Sequence, residues 1–143
     1  MIQVKDLRKN YSGTETLHGL NFEINKGEIV GFLGPNGAGK TTTMRIITGY
    51  LPPSSGSVKI AGYDVVNESL NARKHIGYLP EHVPLYLDLT VNEYLEFFAK
   101  IMKISNKQIK DHLNEIKQKT GLSVVAHKQI GSLSRGYRQR VGI

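Results

Sequence analysis

The segment GPNGAGKTT, residues 34–42, combines three glycines, one lysine and two hydroxyl side chains. Gly34, Gly39, Lys40 and Thr41 fit the spacing G-x-x-x-x-G-K-[ST], in which a glycine-rich turn lets backbone N–H groups approach an anion. The lysine of this pattern reaches nucleotide phosphate oxygens and the hydroxyl ligates Mg²⁺. The segment therefore predicts a nucleotide phosphate site, with contacts from Gly34, Pro35, Asn36, Gly37, Ala38, Gly39, Lys40, Thr41 and Thr42.

A phosphate-binding loop needs a strand before it and a helix after it, and both are predicted. The apolar run EIVGFLG, residues 28–34, favours a buried strand. KTTTMRIITG, residues 40–49, has no internal Gly or Pro and predicts a helix that ends at Gly49. The alternative, a glycine-rich turn that binds nothing, does not require this context.

Further strands are predicted around the loop by alternating polar and apolar residues. IQVKDL, TLHGLNFEI and SVKIAGYDV fit extended chain, and Gly62 marks a turn within the last of them. These segments predict an antiparallel portion beside the phosphate loop.

The second part of the chain has the pattern of helices. TVNE at residues 90–93 and SNKQ at residues 105–108 fit capping boxes, and Gly121 fits a helix end. The apolar stripes that follow predict a helical core: Val91, Tyr94, Leu95, Phe98, Ile101 and Met102, then Ile109, Leu113 and Ile116. We predict an α/β segment over residues 1–82 and a helical segment over residues 83–143.

Composition limits the classes of function. The chain has 143 residues, no cysteine and a net charge of +7, so disulfides and thiolate metal sites are excluded. No apolar run approaches the roughly 20 residues of a membrane span, which predicts a soluble chain. Residues 84–143 hold ten Lys/Arg against five Asp/Glu. This excess favours a solvated helix face, with nucleic acid or an anionic surface as the alternatives.

Tyr11, GPNGAGKTT, IGYLPE at residues 76–81 and LSRGY at residues 133–137 resemble, in order and spacing, the ATP-binding subunits of ABC transporters. YLPE and LSRGYRQR resemble most those of exporters with a separate membrane subunit. The resemblance implies an α/β P-loop NTPase fold of ABC type, with a mixed sheet around the phosphate-loop helix, an antiparallel portion and a helical subdomain. Because it stops at the signature LSRGY, we expect the C-terminal part of such a domain to be absent.

The resemblance also implies roles for residues near the nucleotide. Tyr11 matches the aromatic residue that stacks on adenine, and an aromatic face suits a purine. Lys40 is the expected catalytic lysine and Thr41 an Mg²⁺ ligand. Glu81 stands where the family usually has a glutamine near Mg²⁺ and the attacking water. Glutamate keeps an acceptor oxygen but lacks the amide donor, so Glu81 is expected as a catalytic residue and Mg²⁺ ligand, with an ordinary surface carboxylate as the alternative.

The signature-like segment implies a second phosphate contact. Ser134 and Gly136 match the positions that contact the γ-phosphate of ATP bound to the opposite subunit. Arg135 and Tyr137 depart from the usual LSGGQ. In isolation the segment would predict only a capped helix.

The function implied is an ATPase motor that pairs with a second ATP-binding subunit and drives transmembrane permease subunits. The expected cofactors are ATP and Mg²⁺, with a cytoplasmic location on the inner face of the membrane and no direct contact with nucleic acid. These 143 residues contain no Asp-Glu pair, so this chain is expected to bind ATP without efficient hydrolysis. The alternatives are an ABC-type ATPase acting on nucleic acid or ribosomes, and a nucleotide-binding module without catalysis.

Overall fold

The computed structural model describes residues 1–143 apart from the side chain of Asn106. The chain forms two compact units, Met1–Tyr78 and Leu79–Ile143. No helix in the part of the chain described is long and apolar enough to cross a membrane.

The first unit is built on a four-stranded sheet. Its strands are β1 (Ile2–Tyr11), β2 (Thr14–Ile24), β3 (Ser55–Ile60) and β4 (Tyr63–Asp64), in the order β2-β1-β3-β4. Each neighbouring pair is antiparallel. This sheet is the predicted antiparallel portion, and its first three strands overlap the segments expected from alternation.

Helix α1 (Lys40–Ile47) follows the glycine-rich loop as predicted. Gly49 lies just after it with φ of +73°, a left-handed conformation that commonly ends helices. Ile46 is fully buried and joins the apolar core of the unit. That core contains Val4, Leu7, Leu17, Ile46, Ile47, Val58, Ile60, Val65 and Ala72.

The buried strand predicted over residues 28–34 is not formed, and this prediction is wrong for the chain described. The segment has no regular secondary structure, and Ile29 and Leu33 are 102% and 92% exposed. An apolar run of this kind is buried only when strands and helices cover it, and none of the strands described pairs with it. The five-residue helix α2 (Ser69–Arg73) was not predicted.

The second unit is helical, as expected. It contains α3 (Val91–Ile101), α4 (Asn106–Thr120) and α5 (Arg135–Val141), with short 3₁₀ turns at Ser123–Val125 and Ile130–Ser132. Its core contains Val91, Tyr94, Leu122, Val125, Ile130, Leu133 and Val141.

The predicted stripe of α3 is confirmed only over its first part. Val91 and Tyr94 are buried, whereas Ile101 and Met102 are 55% and 72% exposed. The helix ends at Ile101 and Met102 caps it, so the last two side chains of the stripe lie past the turns that face the core. Ala99 is buried instead.

One of the two predicted capping boxes is formed. The Thr90 hydroxyl accepts from the Glu93 N–H, and the Glu93 carboxylate accepts from the Thr90 N–H at 2.7 Å. At α4 no side chain caps the helix. The Ser105 hydroxyl donates to Gln108 Oε1 at 2.6 Å but accepts from no backbone N–H of the first turn. The predicted end of α4 at Gly121 is confirmed by its φ of +68°.

Candidate functional site

The turn of the glycine-rich loop depends on two glycines with positive φ. Gly37 and Gly39 have φ of +86° and +80°, a region that L side chains rarely adopt. A Cβ at Gly37 would meet open space, whereas one at Gly39 would collide with the Leu17 side chain and lie 3.1 Å from the Thr16 carbonyl oxygen. Gly39 is therefore required both by its backbone angle and by the close approach of β2.

The loop runs directly into the N-terminus of α1. Gly39 is the N-cap, and its carbonyl accepts from the Thr43 N–H at 2.8 Å and from the Thr43 hydroxyl at 3.0 Å. The N–H groups of residues 40–42 precede this first helical hydrogen bond and have no partner within the helix. No acidic side chain lies in the first turn and no side chain caps the helix. The N–H groups and the helix dipole together favour an anion here.

The ammonium of Lys40 lies inside the loop. Its Nζ donates to the carbonyl oxygens of Gly34 at 2.6 Å and Pro35 at 2.7 Å. These short hydrogen bonds are charge-assisted, so they hold the cation against the first residues of the loop. Thr41 is exposed in the first turn of the helix.

Tyr11 lies at the end of β1 and is 44% exposed. It pairs with Thr14 on β2, and Thr16 on the same strand approaches Gly39. Thr14 and Thr16 are two residues apart, about 7 Å along an extended strand. Tyr11 and Gly39 therefore both lie beside the same part of β2 within the first unit.

Two carboxylates of the same hairpin, those of Asp6 and Glu15, are paired with Arg8. Arg8 contacts Glu15 at 3.0 Å and Asp6 at 3.2 Å, and the His18 ring contacts Glu15 at 3.2 Å. Hydrogen bonds from His18 and Arg8 lower the pKa of the Glu15 carboxyl. Arg8 therefore offsets part of the negative charge on the hairpin that carries Tyr11.

The remaining predicted site residues lie in the second unit. Glu81 is exposed and lines a cleft of about 530 Å³ whose walls include Leu85, Leu87, Arg135 and Arg138. Glu81 belongs to the second unit, whereas Lys40 and Tyr11 belong to the first. The expected role of Glu81 beside Mg²⁺ stays a prediction. Among the side chains described, no group of three or more His, Asp or Glu is placed to hold a metal ion.

Ser134 is the N-cap of α5, and its hydroxyl accepts from the Tyr137 N–H at 3.4 Å. A Cβ at Gly136 would meet no atom within 4 Å. The predicted cap is confirmed. The predicted contact of Ser134 and Gly136 with the ATP of an opposite subunit stays a prediction.

Two residues that contact the predicted site residues were not predicted from the sequence. Thr43 is fully buried, and its hydroxyl fixes the Gly39 carbonyl. Lys9 lies over the Tyr11 ring, with its Nζ 5.3 Å from the ring centroid. Its position two residues before Tyr11 on a strand could have identified Lys9, because residues i and i+2 share a face.

The glycine-rich loop leads into a helix N-terminus, as in a P-loop. The strand that precedes such a loop is not formed, so the class of fold rests on the loop, its helix and the comparisons that follow. The ABC transporter family matches residues 17–143. The chain therefore belongs to the ABC transporter family. Tyr11 lies just outside the matched range.

Relatives and solved structures agree with this assignment. The chain is 38% identical over its whole length to the uncharacterized ABC transporter ATP-binding protein YxlF of Bacillus subtilis, covering 47% of it. It is 35% identical over its whole length to the linearmycin resistance ATP-binding protein LnrL of the same organism, covering 46% of it. The structure of cbiO1 from Clostridium perfringens, part of the ABC transporter complex cbiONQ, matches with a TM-score of 0.85 and 30% identity.

The matches cover nearly all of this chain but only about half of each relative. The match to cbiO1 covers 99% of this chain and 58% of that one. The chain thus spans about half the length of the curated relatives it matches. The expectation of an ABC-type P-loop NTPase fold is confirmed.

Proposed function

We propose that this chain is the nucleotide-binding part of an ATP-driven motor subunit that works with a separate membrane subunit. The observation that carries the proposal is the loop of residues 34–42. This loop combines the unpaired N–H groups at the start of α1 with the Lys40 ammonium, and the φ values of Gly37 and Gly39 fit a backbone that approaches a ligand closely.

The triphosphate would replace the carbonyl partners of Lys40 with its own oxygens. In the free loop the Lys40 ammonium donates to the Gly34 and Pro35 carbonyls, so binding exchanges one set of oxygen acceptors for another and the cation has acceptors in both states. The adenine would stack on Tyr11, which is half exposed at the end of β1. Base and phosphate sites then belong to one unit of the chain.

Magnesium is proposed as the cation of the bound nucleotide. Thr41 is exposed in the first turn of α1, and a hard oxygen ligand of this kind suits Mg²⁺. Bound Mg²⁺ would neutralise charge on the β- and γ-phosphates. We assign Thr41 to this ion and Lys40 to stabilising charge on the phosphate during transfer. The role of Glu81 as a catalytic residue and Mg²⁺ ligand stays a prediction from the family resemblance.

Coupling to transport is proposed from family membership and from the second unit. Ser134 and Gly136 would contact ATP on a second ATP-binding subunit when the pair closes. The cleft beside Glu81 has exposed apolar side chains, including Leu87 at 48% exposure, and is proposed to receive the permease. We therefore propose a location on the cytoplasmic face of a membrane, with an exporter as the branch that the motifs favour.

Hydrolysis by the 143 residues alone is proposed to be inefficient. The sequence contains no Asp-Glu pair that could supply a second Mg²⁺ ligand and a group to position water. Turnover by these residues at rates typical of ATPases would contradict this part of the proposal.

The test of the nucleotide site is the affinity for ATP with Mg²⁺ of the protein as its gene encodes it. Lys40→Ala removes charge-assisted hydrogen bonds to phosphate, each worth about 1.5–3 kcal/mol, so we expect affinity to fall tenfold or more. Lys59→Ala is the matched control, because Lys59 is an exposed lysine on β3 of the same unit. Equal affinities of the two variants would refute the proposed site.

A further inference from the structure

Lys9 and Tyr11 lie two residues apart on β1 and meet over the tyrosine ring. The Lys9 Nζ is 5.3 Å from the ring centroid, within the roughly 6 Å at which a cation is attracted to an aromatic face. Alternation along a strand makes the residue at i−2 the neighbour on the same side as the ring. One face of Tyr11 is thus in contact with a cation of the protein.

The lysine is itself anchored to the backbone. Its Nζ donates to the Pro52 carbonyl oxygen at 2.8 Å. The adjoining residues are tied to the same segment, because the Asn10 N–H donates to Ser54 Oγ at 3.0 Å and the Ser54 N–H donates to the Arg8 carbonyl at 2.9 Å. The chain that leaves α1 therefore holds both the end of β1 and the ammonium that contacts Tyr11.

We propose that Lys9 is a positioning residue for the purine base. It fixes the orientation of the Tyr11 ring, so that the exposed part of the ring is ready to stack on adenine. The inference rests on the proposed nucleotide site, where Tyr11 is assigned to the base. It adds a residue that touches neither base nor phosphate and acts through the ring.

If Lys9 positions the Tyr11 ring, its removal should weaken binding of ligands that carry a base. A tyrosine at the end of a strand samples several rotamers, and holding it in one before binding reduces the entropy lost on binding. Loss of an exposed cation–π contact corresponds to a change of about two- to fivefold in affinity. The change should affect ATP, which has a base, and leave tripolyphosphate, which has none, unaffected.

The experiment compares dissociation constants for ATP and for tripolyphosphate, each with Mg²⁺, by calorimetry on the protein as its gene encodes it. Lys9→Met keeps much of the aliphatic stem and removes the ammonium, while Lys9→Arg restores a cation that stacks well on aromatic rings. Lys5→Met is the control for net charge, because Lys5 is an exposed lysine of the same strand. Thermal unfolding of each variant checks that the fold is intact.

The expected result is a two- to fivefold weaker ATP affinity for Lys9→Met, unchanged tripolyphosphate affinity, and recovery in Lys9→Arg. Unchanged ATP affinity in Lys9→Met would overturn the positioning role. An equal loss of affinity for ATP and tripolyphosphate would also overturn it, because it would indicate a general effect of charge. Failure of the proposed function looks different: the unmodified protein would bind neither ligand, or would bind both without dependence on Lys40.

Discussion

Gly39→Ala is expected to be the most damaging single-methyl change in the phosphate loop. The backbone at Gly39 has φ of +80°, which costs an L side chain about 1–2 kcal/mol. The added methyl would also collide with Leu17, which is 2% exposed, and approach the Thr16 carbonyl oxygen to 3.1 Å. Overpacking of this kind costs about 1–3 kcal/mol, because neighbours must leave their rotamers.

Two other glycines allow the cost of the backbone conformation to be measured separately from the cost of the steric overlap. Gly37 and Gly27 have φ of +86° and +88°, yet a Cβ at either position would meet no atom within 4 Å. Gly37→Ala and Gly27→Ala should therefore lose only the backbone term of about 1–2 kcal/mol. Gly39→Ala should lose about 2–5 kcal/mol in total, a large part of the stability of a typical domain.

Urea unfolding of the three variants measures these differences in the free energy of unfolding. A further variant, Gly39→Ala combined with Leu17→Val, removes one methyl from the crowded neighbour and should be less destabilised than the two single changes predict. The reasoning would be refuted if Gly39→Ala and Gly27→Ala were equally stable, since the contact between the loop and β2 would then cost nothing.

Two further predictions concern helix α3. Thr90→Ala removes the hydroxyl that caps the helix and should lower the free energy of unfolding by about 1 kcal/mol. Ser105→Ala is the control and should lower it less, because the Ser105 hydroxyl caps no backbone group. Equal losses in urea unfolding would contradict the assignment of Thr90 as the cap. Hydrogen bonds from Thr90 lower the pKa of the Glu93 carboxyl. Their stabilising effect is present above the carboxyl pKa of the unfolded chain and is lost as the pH falls through the folded pKa. In Glu93→Gln the free energy of unfolding should therefore fall less as the pH is lowered. The same loss at acidic pH in the variant and the unmodified protein would contradict the prediction.

The phosphate loop and its helix were predictable because their requirements are local. The spacing of Gly34, Gly39 and Lys40 fixes a turn followed by a helix, and no internal Gly or Pro interrupts residues 40–48. The capping box at Thr90 was predictable for the same reason. Local hydrogen bonds within four residues are encoded by the residues themselves.

The predictions that failed concern segments whose structure depends on the elements and side chains packed beside them. The apolar run at residues 28–34 has the composition of a buried strand, but burial depends on which strands and helices lie beside it, and periodicity alone does not supply them. At Ser105 the residue types allow a capping box, yet only the contact between the Ser105 and Gln108 side chains forms, at 2.6 Å, and the cap to the backbone does not. The contact of Gly39 with Leu17 joins residues far apart in sequence and has no local signal.

The contact between Lys9 and Tyr11 depends partly on local sequence and partly on distant parts of the chain. Strand alternation places the two side chains on one face, so the pair was accessible from the sequence once Tyr11 had been chosen. The anchor at Pro52 was not, because it depends on the path of the chain after α1.

The most direct measurement of the central claim is a crystal structure of the protein, as its gene encodes it, with a non-hydrolysable ATP analogue and Mg²⁺. The account predicts that the triphosphate contacts the N–H groups of residues 39–42, that Lys40 exchanges the Gly34 and Pro35 carbonyls for phosphate oxygens, and that adenine stacks on Tyr11. A nucleotide bound elsewhere, or a loop that leaves Lys40 on those two carbonyls while ATP is present, would contradict it.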